Sequence, residues 1–191
     1  GVTSDAQPVS DELLQWARRQ NAWIVEDDYD GEFRYGQRPM DALQSIDSDG
    51  RVIYVGTFSK ALSPLLRLGY LVLPPDLVSV FREAKRLTDR HAPVLEQRVL
   101  ASLIHSGAYE RHVRRMRREN ERRRGALLDA VARYLPKDAR VGGSAAGLHV
   151  VLWLPSRNPE DEPVLATAAR QLGVGIYPVS GLFAQPQTCA Q

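Results

Sequence analysis

Two short stretches of this 191-residue chain hold the side chains best suited to group-transfer chemistry. The first reads Ile24-Val25-Glu26-Asp27-Asp28-Tyr29-Asp30. The second reads Val55-Gly56-Thr57-Phe58-Ser59-Lys60, with Arg67 seven residues further on. A lysine amine of lowered pKa can form a Schiff base with an aldehyde. A carboxylate can keep a pyridine nitrogen protonated, so that the ring acts as an electron sink. A phenol can contact a ring oxygen, and hydroxyls with a forked guanidinium suit a phosphate. Lys60, Asp27, Tyr29, Thr57, Ser59 and Arg67 supply these types in turn, which is the requirement of a pyridoxal phosphate site. Thr57 and Ser59 stand three and one residues before the lysine, where both can turn toward a phosphate beside it.

Other chemistry is available to the same residues. Glu26, Asp27, Asp28 and Asp30 are clustered oxygens of the kind hard cations prefer. Asp28-Tyr29-Asp30 has the Asp-x-Asp spacing of sugar-nucleotide transferases. Thr57-x-x-Lys60 resembles the Ser-x-x-Lys of penicillin-binding enzymes, but no Ser-Asp-Asn or Lys-Thr-Gly follows. Residues 111–124 hold eight arginines, a run that could touch nucleic acid. Val113 and Met116 fall at helical spacing there and Glu119 and Glu121 interrupt the charge, so a solvated helix face is the simpler account. His91, His105, His112 and His149 share no metal-ligand spacing, so no metal is expected. Trp16, Trp23 and Trp153 fit packed positions.

Placing both stretches at strand ends requires an α/β arrangement. Ser10 fits a helix N-cap, with Asp11 and Glu12 in the first turn and Leu13, Leu14 and Ala17 at helical spacing to about Gln20. Ala22 to Asp27 reads as a buried strand. Residues 32–50 are irregular, broken by Gly36, Pro39 and Gly50. Arg51 to Thr57 and Leu66 to Leu73 read as two more strands, and Pro75-Asp76 opens a helix through Ala84. These strands are continuous apolar runs, the pattern of strands covered on both faces. Helices are expected over Pro93 to His105 and Ala108 to Tyr134. Then come a strand from Leu148 to Leu154, a helix from Val164 to Leu172 with Gly173 past its end, and a short strand from Val174 to Tyr177. In open α/β sheets ligands collect at the carboxyl ends of strands, where both stretches lie.

Hydrophobic residues make up 43% and charged residues 25%, ordinary for a globular chain. The net charge of +2 gives no global field that would favour nucleic acid or membrane. One cysteine, Cys189, excludes a disulfide framework and makes a reducing, cytoplasmic setting the expectation. No secretory signal is visible and no apolar run reaches the ~20 residues of a membrane helix.

The stretch Glu26-Asp27-Asp28-Tyr29-Asp30-Gly31-Glu32-Phe33, then Ala42-Leu43-Gln44-Ser45, then Tyr54-Val55-Gly56-Thr57-Phe58-Ser59-Lys60 with Leu66-Arg67-Leu68-Gly69-Tyr70, resembles the effector domain of MocR/GabR-type bacterial regulators. Those proteins join a GntR-like winged-helix DNA reader to a fold-type-I aminotransferase domain. The resemblance runs from about Val9 to Phe183. It implies Asp27 on the pyridine nitrogen, Tyr29 on the ring oxygen, Lys60 as the aldimine lysine, and Thr57, Ser59 and Arg67 around the phosphate. Stand-alone aminotransferases more often carry a proline before that tyrosine. Here Tyr29 follows Asp28 directly, which favours the regulator branch.

The resemblance further implies part of the large αβα-sandwich domain over residues 1–95, connecting helices over 96–124, and part of a small C-terminal α/β domain over 125–191. Family members carry a glycine-rich phosphate loop and a ring-stacking aromatic upstream of Gly1, and a carboxylate-gripping arginine beyond the segment matching Phe183. An interior segment with an exposed sheet edge is thus expected. Its partners would be an amine or amino acid, a second copy of the protein, and DNA through a domain outside this chain. Three readings stay open: an effector-sensing regulator domain, a working aminotransferase, and a binding-inert fragment.

Overall fold

The computed structural model describes residues 6–35, 41–143 and 147–182. Gly36, Pro39 and Cys189 lie outside the described residues. The chain divides into two compact units, residues 1–123 with 145–148 and residues 124–144 with 149–191.

In the first unit, helix α1 spans Ala6–Arg19. It begins before the expected cap, so Ser10 lies inside it. Pro8 sits in the first turn, where its missing N–H has no helical acceptor to lose. Arg18 and Arg19 occupy the last turn, where the helix dipole favours cations. Ala17 is fully buried. Asn21 then adopts a left-handed φ of 50°, and the Ala22 N–H donates back to the Ala17 carbonyl at 2.9 Å. That closure holds Ala22 to the helix, so strand β1 runs over Ile24–Asp28 rather than from Ala22.

A short helix α2 (Leu43–Ile46) leads through Asp47 into β2 (Val52–Thr57). The Asp47 carboxylate gathers the loop, accepting from the N–H groups of Asp49, Arg51 and Val52 at 3.0, 2.5 and 2.8 Å. Strand β3 covers Gly69–Val72. The sheet order is β1-β2-β3, with β1 parallel and β3 antiparallel to β2. The sheet is therefore mixed, and β1 forms one of its edges among the described residues.

The strand expected from Leu66 is shortened at its start. Ser63 accepts from the Leu65 N–H at 3.3 Å and Pro64 opens a 3-10 turn over Pro64–Leu66. Arg67 closes that turn at φ 50°, ψ 35°, a conformation no ladder residue adopts. Coverage on both faces is also not what the structure shows. Val52 and Ile53 of β2 are buried, but β1 alternates and β3 is exposed along its length.

Helices α3 (Pro75–Asp89), α4 (Val94–His105) and α5 (Ala108–Tyr134) follow. Gly107, at φ 68°, separates α4 from α5. Leu100 and Val113 are the buried positions of the last two.

The second unit takes the last turns of α5, an antiparallel pair β4 (Arg140–Gly142) and β5 (Val151–Trp153), and helix α6 (Glu162–Gln171). Ala166 is its buried residue on α6, and Gly173 follows the helix at φ 79°, the expected left-handed position. The strand expected over Val174 to Tyr177 has no ladder partner among the described residues. Beyond it, the Val179 N–H donates to Glu162 Oε1 at 3.0 Å, which ties the segment to a side chain instead. The tryptophans are less packed than expected: Trp16, Trp23 and Trp153 are each at least 40% exposed, and the Arg51 guanidinium lies over the Trp23 ring. No helix among the described residues is long and apolar enough to cross a membrane.

Candidate functional site

A β-strand sends successive side chains to opposite faces, and this alternation sorts the acidic run of β1. In the parallel register Val25 stands beside Ile53 and Asp27 beside Val55; across β2, Val55 stands beside Leu71 and Thr57 beside Gly69. Asp27 and Thr57 therefore share one face of the sheet. Glu26, Asp28, Tyr54, Gly56 and Tyr70 share the other.

The two faces differ in how their polar groups are used. On the second face each acid is committed. Glu26 accepts from the N–H groups of Leu43 and Gln44 at 2.9 and 3.0 Å, capping α2. Asp28 accepts from the Tyr54 hydroxyl at 2.8 Å. A Cβ at Gly31 would press on the Asp28 carboxylate, so glycine leaves room for that side chain. Asp27, on the first face, is exposed, and its carboxylate has no hydrogen bond or ion pair among the described residues. The side chains of Tyr29, Lys60 and Arg67 are likewise exposed and have none among the described residues. Glu26 caps a helix and Asp28 binds a phenol, and no group of three or more metal-binding side chains occurs among the described residues.

Thr57 ends β2 and the chain turns immediately. The Ser59 N–H donates to Thr57 Oγ1 at 3.1 Å, the two hydroxyls lie 3.0 Å apart, and Thr57 Oγ1 also lies 3.3 Å from the Leu68 carbonyl. The Phe58 N–H donates to that same carbonyl at 3.2 Å. These bonds bring residue 68, and Arg67 beside it, against the turn that carries Lys60. The six expected residues thus occupy two strand ends and the two turns that leave β2 and enter β3.

Residues that composition and spacing did not single out line the opposite face. Tyr70 lies over Gly56, where a Cβ would meet its ring at 2.3 Å. Its ring centroid is 6.0 Å from that of Tyr54 and 5.4 Å from that of Phe58, and Phe58 meets Tyr109 edge-on at 5.8 Å. Tyr109 donates its hydroxyl to Glu32 Oε1 at 3.1 Å. Burial, then the hydrogen bond to Asp28, pushes the Tyr54 phenol far above its ordinary range; burial, then the Glu32 charge, does the same to Tyr109. The signal that could have found them is the period-2 alternation of Tyr54, Gly56 and Phe58 opposite Tyr70.

The arginine run lies on α5 and is mostly exposed, though Arg124 is half-buried. Arg114 pairs with Glu110, and Glu119 accepts from both Arg122 and Arg123. Those two hydrogen bonds hold the Glu119 carboxyl down at about 2.

A sheet with an unengaged carboxylate on one strand end and a lysine turn on the next fits the aminotransferase architecture. The family description "Aminotransferase class I and II" matches residues 9–181, and the chain belongs to that family. It is 41% identical over 169 residues, 88% of the chain, to the uncharacterized HTH-type transcriptional regulator YhdI of Bacillus subtilis. It is 42% identical over 171 residues, 90% of the chain, to the probable rhizopine catabolism regulatory protein MocR of Rhizobium meliloti. The chain spans 36% and 34% of those two proteins, about a third of their length. Among solved structures it is similar to Pyrococcus horikoshii kynurenine aminotransferase in complex with PMP, at a TM-score of 0.83 and 30% identity, covering 94% of this chain and 44% of that one.

Proposed function

We propose that this chain is the effector-sensing part of a bacterial transcriptional regulator and that Lys60 holds its pyridoxal phosphate. The observation that carries the reading is the sorting of β1 and β2: Asp27 and Thr57 share a face, and Asp27, Tyr29, Lys60 and Arg67 have no partner among the described residues. Every acid on the other face is tied to the scaffold. In this reading the Lys60 amine binds the cofactor, and Asp27 keeps the pyridine nitrogen protonated. Tyr29 donates to the ring oxygen; Thr57, Ser59 and Arg67 hold the phosphate. When bound, the cofactor supplies an electron-accepting ring conjugated to a substrate amine. An amine or amino acid that displaces Lys60 is the signal. The relatives named as an HTH-type transcriptional regulator and a regulatory protein support this assignment, as does the direct Asp28-Tyr29 sequence. The intact protein would act as a cytoplasmic homodimer, with DNA read by a region outside these 191 residues. Its domains would divide as residues 1–95, 96–124 and 125–191.

A second reading is favoured by the likeness to kynurenine aminotransferase: a working aminotransferase in which freed Lys60 moves the proton. Turnover of an amino donor with a keto acid separates it from the first.

An absorbance titration with pyridoxal phosphate on this chain and on Lys60→Ala tests the site. A visible band present in the first and lost in the second is expected. An equal band in both removes Lys60 from its role, and no band in either makes the chain binding-inert.

A further inference from the structure

One helix pins the turn that carries Lys60. The Leu62 N–H donates to the Phe58 carbonyl at 2.9 Å, closing a single turn around Lys60. Ala61 is 2% exposed, and its carbonyl lies 3.0 Å from His112 Nε2 on α5. Three residues earlier, on the same side of α5, Tyr109 sets its ring edge-on to Phe58. The pair Tyr109 and His112 thus meets the pair Phe58 and Ala61, three residues apart on both sides, and Lys60 lies between the two contacted residues.

Both nitrogens of His112 are committed. A carbonyl only accepts, so Nε2 must carry the proton. Nδ1 lies 3.3 Å from Arg115 Nη2, and a guanidinium only donates, so Nδ1 must offer its lone pair. The geometry therefore uses one tautomer of the neutral imidazole. The same helix also holds the loop leaving β1: Tyr109 donates to the Glu32 carboxylate, and Arg117 Nε donates to the Glu32 carbonyl at 2.9 Å.

A lysine amine swings on a flexible four-carbon stem, so its aim depends on how firmly its own backbone is held. We propose that His112 is the positioning residue of the Lys60 turn, its Nε2–H fixing the Ala61 carbonyl and so the direction from which the Lys60 amine meets the cofactor. The proposal rests on the reading of Lys60 given above and adds a residue that makes no contact with the cofactor itself.

The test compares the chain with His112→Leu, which keeps volume but has no donor, and His112→Gln, whose amide nitrogen falls near the position of Nε2. Each is loaded with pyridoxal phosphate, reduced with borohydride and mapped for the modified lysine; in parallel the pH midpoint of the visible band is measured. Lys60 is expected to be labelled in all three. The midpoint should move by about half a pH unit or more in His112→Leu and stay near that of the unsubstituted chain in His112→Gln. An unmoved midpoint in His112→Leu, or an equal displacement in both variants, overturns the proposal while leaving Lys60 as the attachment point. A different labelled residue in the unsubstituted chain, or none, overturns the reading of Lys60 and this proposal with it. Should His112→Leu not fold, His112→Asn, whose amide falls short of the carbonyl, takes its place with the same two outcomes.

Discussion

The Tyr54 hydroxyl donates to the Asp28 carboxylate at 2.8 Å, across two strands and on the face of the sheet away from Asp27. The bond anchors the residue next to Asp27 without touching it. Removing the hydroxyl by Tyr54→Phe should cost about 1–2 kcal/mol, because a half-buried carboxylate loses a donor. Urea unfolding of the two proteins measures it, and an unchanged midpoint would deny the bond any structural role.

Burial, with the carboxylate beside each phenol, fixes the sign of an alkaline effect. Tyr54 and Tyr109 have pKa values raised above the ~10 of an unfolded tyrosine. Below pH ~10 both states keep these protons and the stabilising contribution is complete. Above it the unfolded chain releases protons that the native state retains, so stability falls as pH rises toward the folded values. Unfolding free energy followed from pH 8 to 11 should therefore decline, and decline less steeply in Tyr54→Phe with Tyr109→Phe. A parallel decline in both proteins would contradict this assignment.

Glu26 caps α2 through two backbone N–H groups. Glu26→Ala should lower stability by about 0.5–2 kcal/mol, and Glu26→Gln, which keeps one acceptor oxygen, by less. Thermal melts give the order. Pyridoxal phosphate binding should survive Glu26→Gln, since this residue stands on the scaffold face.

Asp27→Asn should behave in the opposite way. The Asp27 side chain is exposed and makes no hydrogen bond or ion pair among the described residues, so its replacement should change stability by less than about 0.5 kcal/mol. It should weaken reaction of the bound cofactor with an amine more than it weakens cofactor binding. Unchanged reaction rates in stopped-flow absorbance would remove Asp27 from the pyridine nitrogen.

A chelator should have no effect. No cluster of metal-binding side chains occurs among the described residues, and the acids of β1 are divided between two faces. EDTA or added magnesium should leave the visible band unchanged; a dependence on either would favour the cation reading of Glu26, Asp27, Asp28 and Asp30.

Two strand ends were legible in the sequence because the apolar runs stop there: Asp27 lies at the end of β1, and the Lys60 turn follows Thr57 at the end of β2. The family was legible from the motifs at those ends. The length of β3 was not, because a left-handed Arg67 leaves no mark in composition. The start of α1 was hidden by Ser10, a good cap that an earlier helix overran. The tether from His112 to Ala61 spans 51 residues and was invisible to any local pattern, so that histidine was marked in the sequence only by its lack of metal-ligand spacing. The division of labour within Glu26-Asp27-Asp28 was equally unreadable from a run of like charges, since it depends on which neighbours each face meets.

That division makes the strand sensitive to length in a particular way. Asp27 lies on the face proposed for the cofactor, while Glu26 and Asp28 on the other face are bolted to α2 and Tyr54. Inserting or deleting one residue within Ile24–Asp28 would exchange the two sets at a stroke, turning Glu26 or Asp28 toward the cofactor face and stranding Asp27 among the anchors. A change of two residues would restore the parity. Substitutions here alter one job at a time, whereas a single-codon frame-preserving insertion would confound both, so β1 should tolerate drift in residue type far better than drift in spacing.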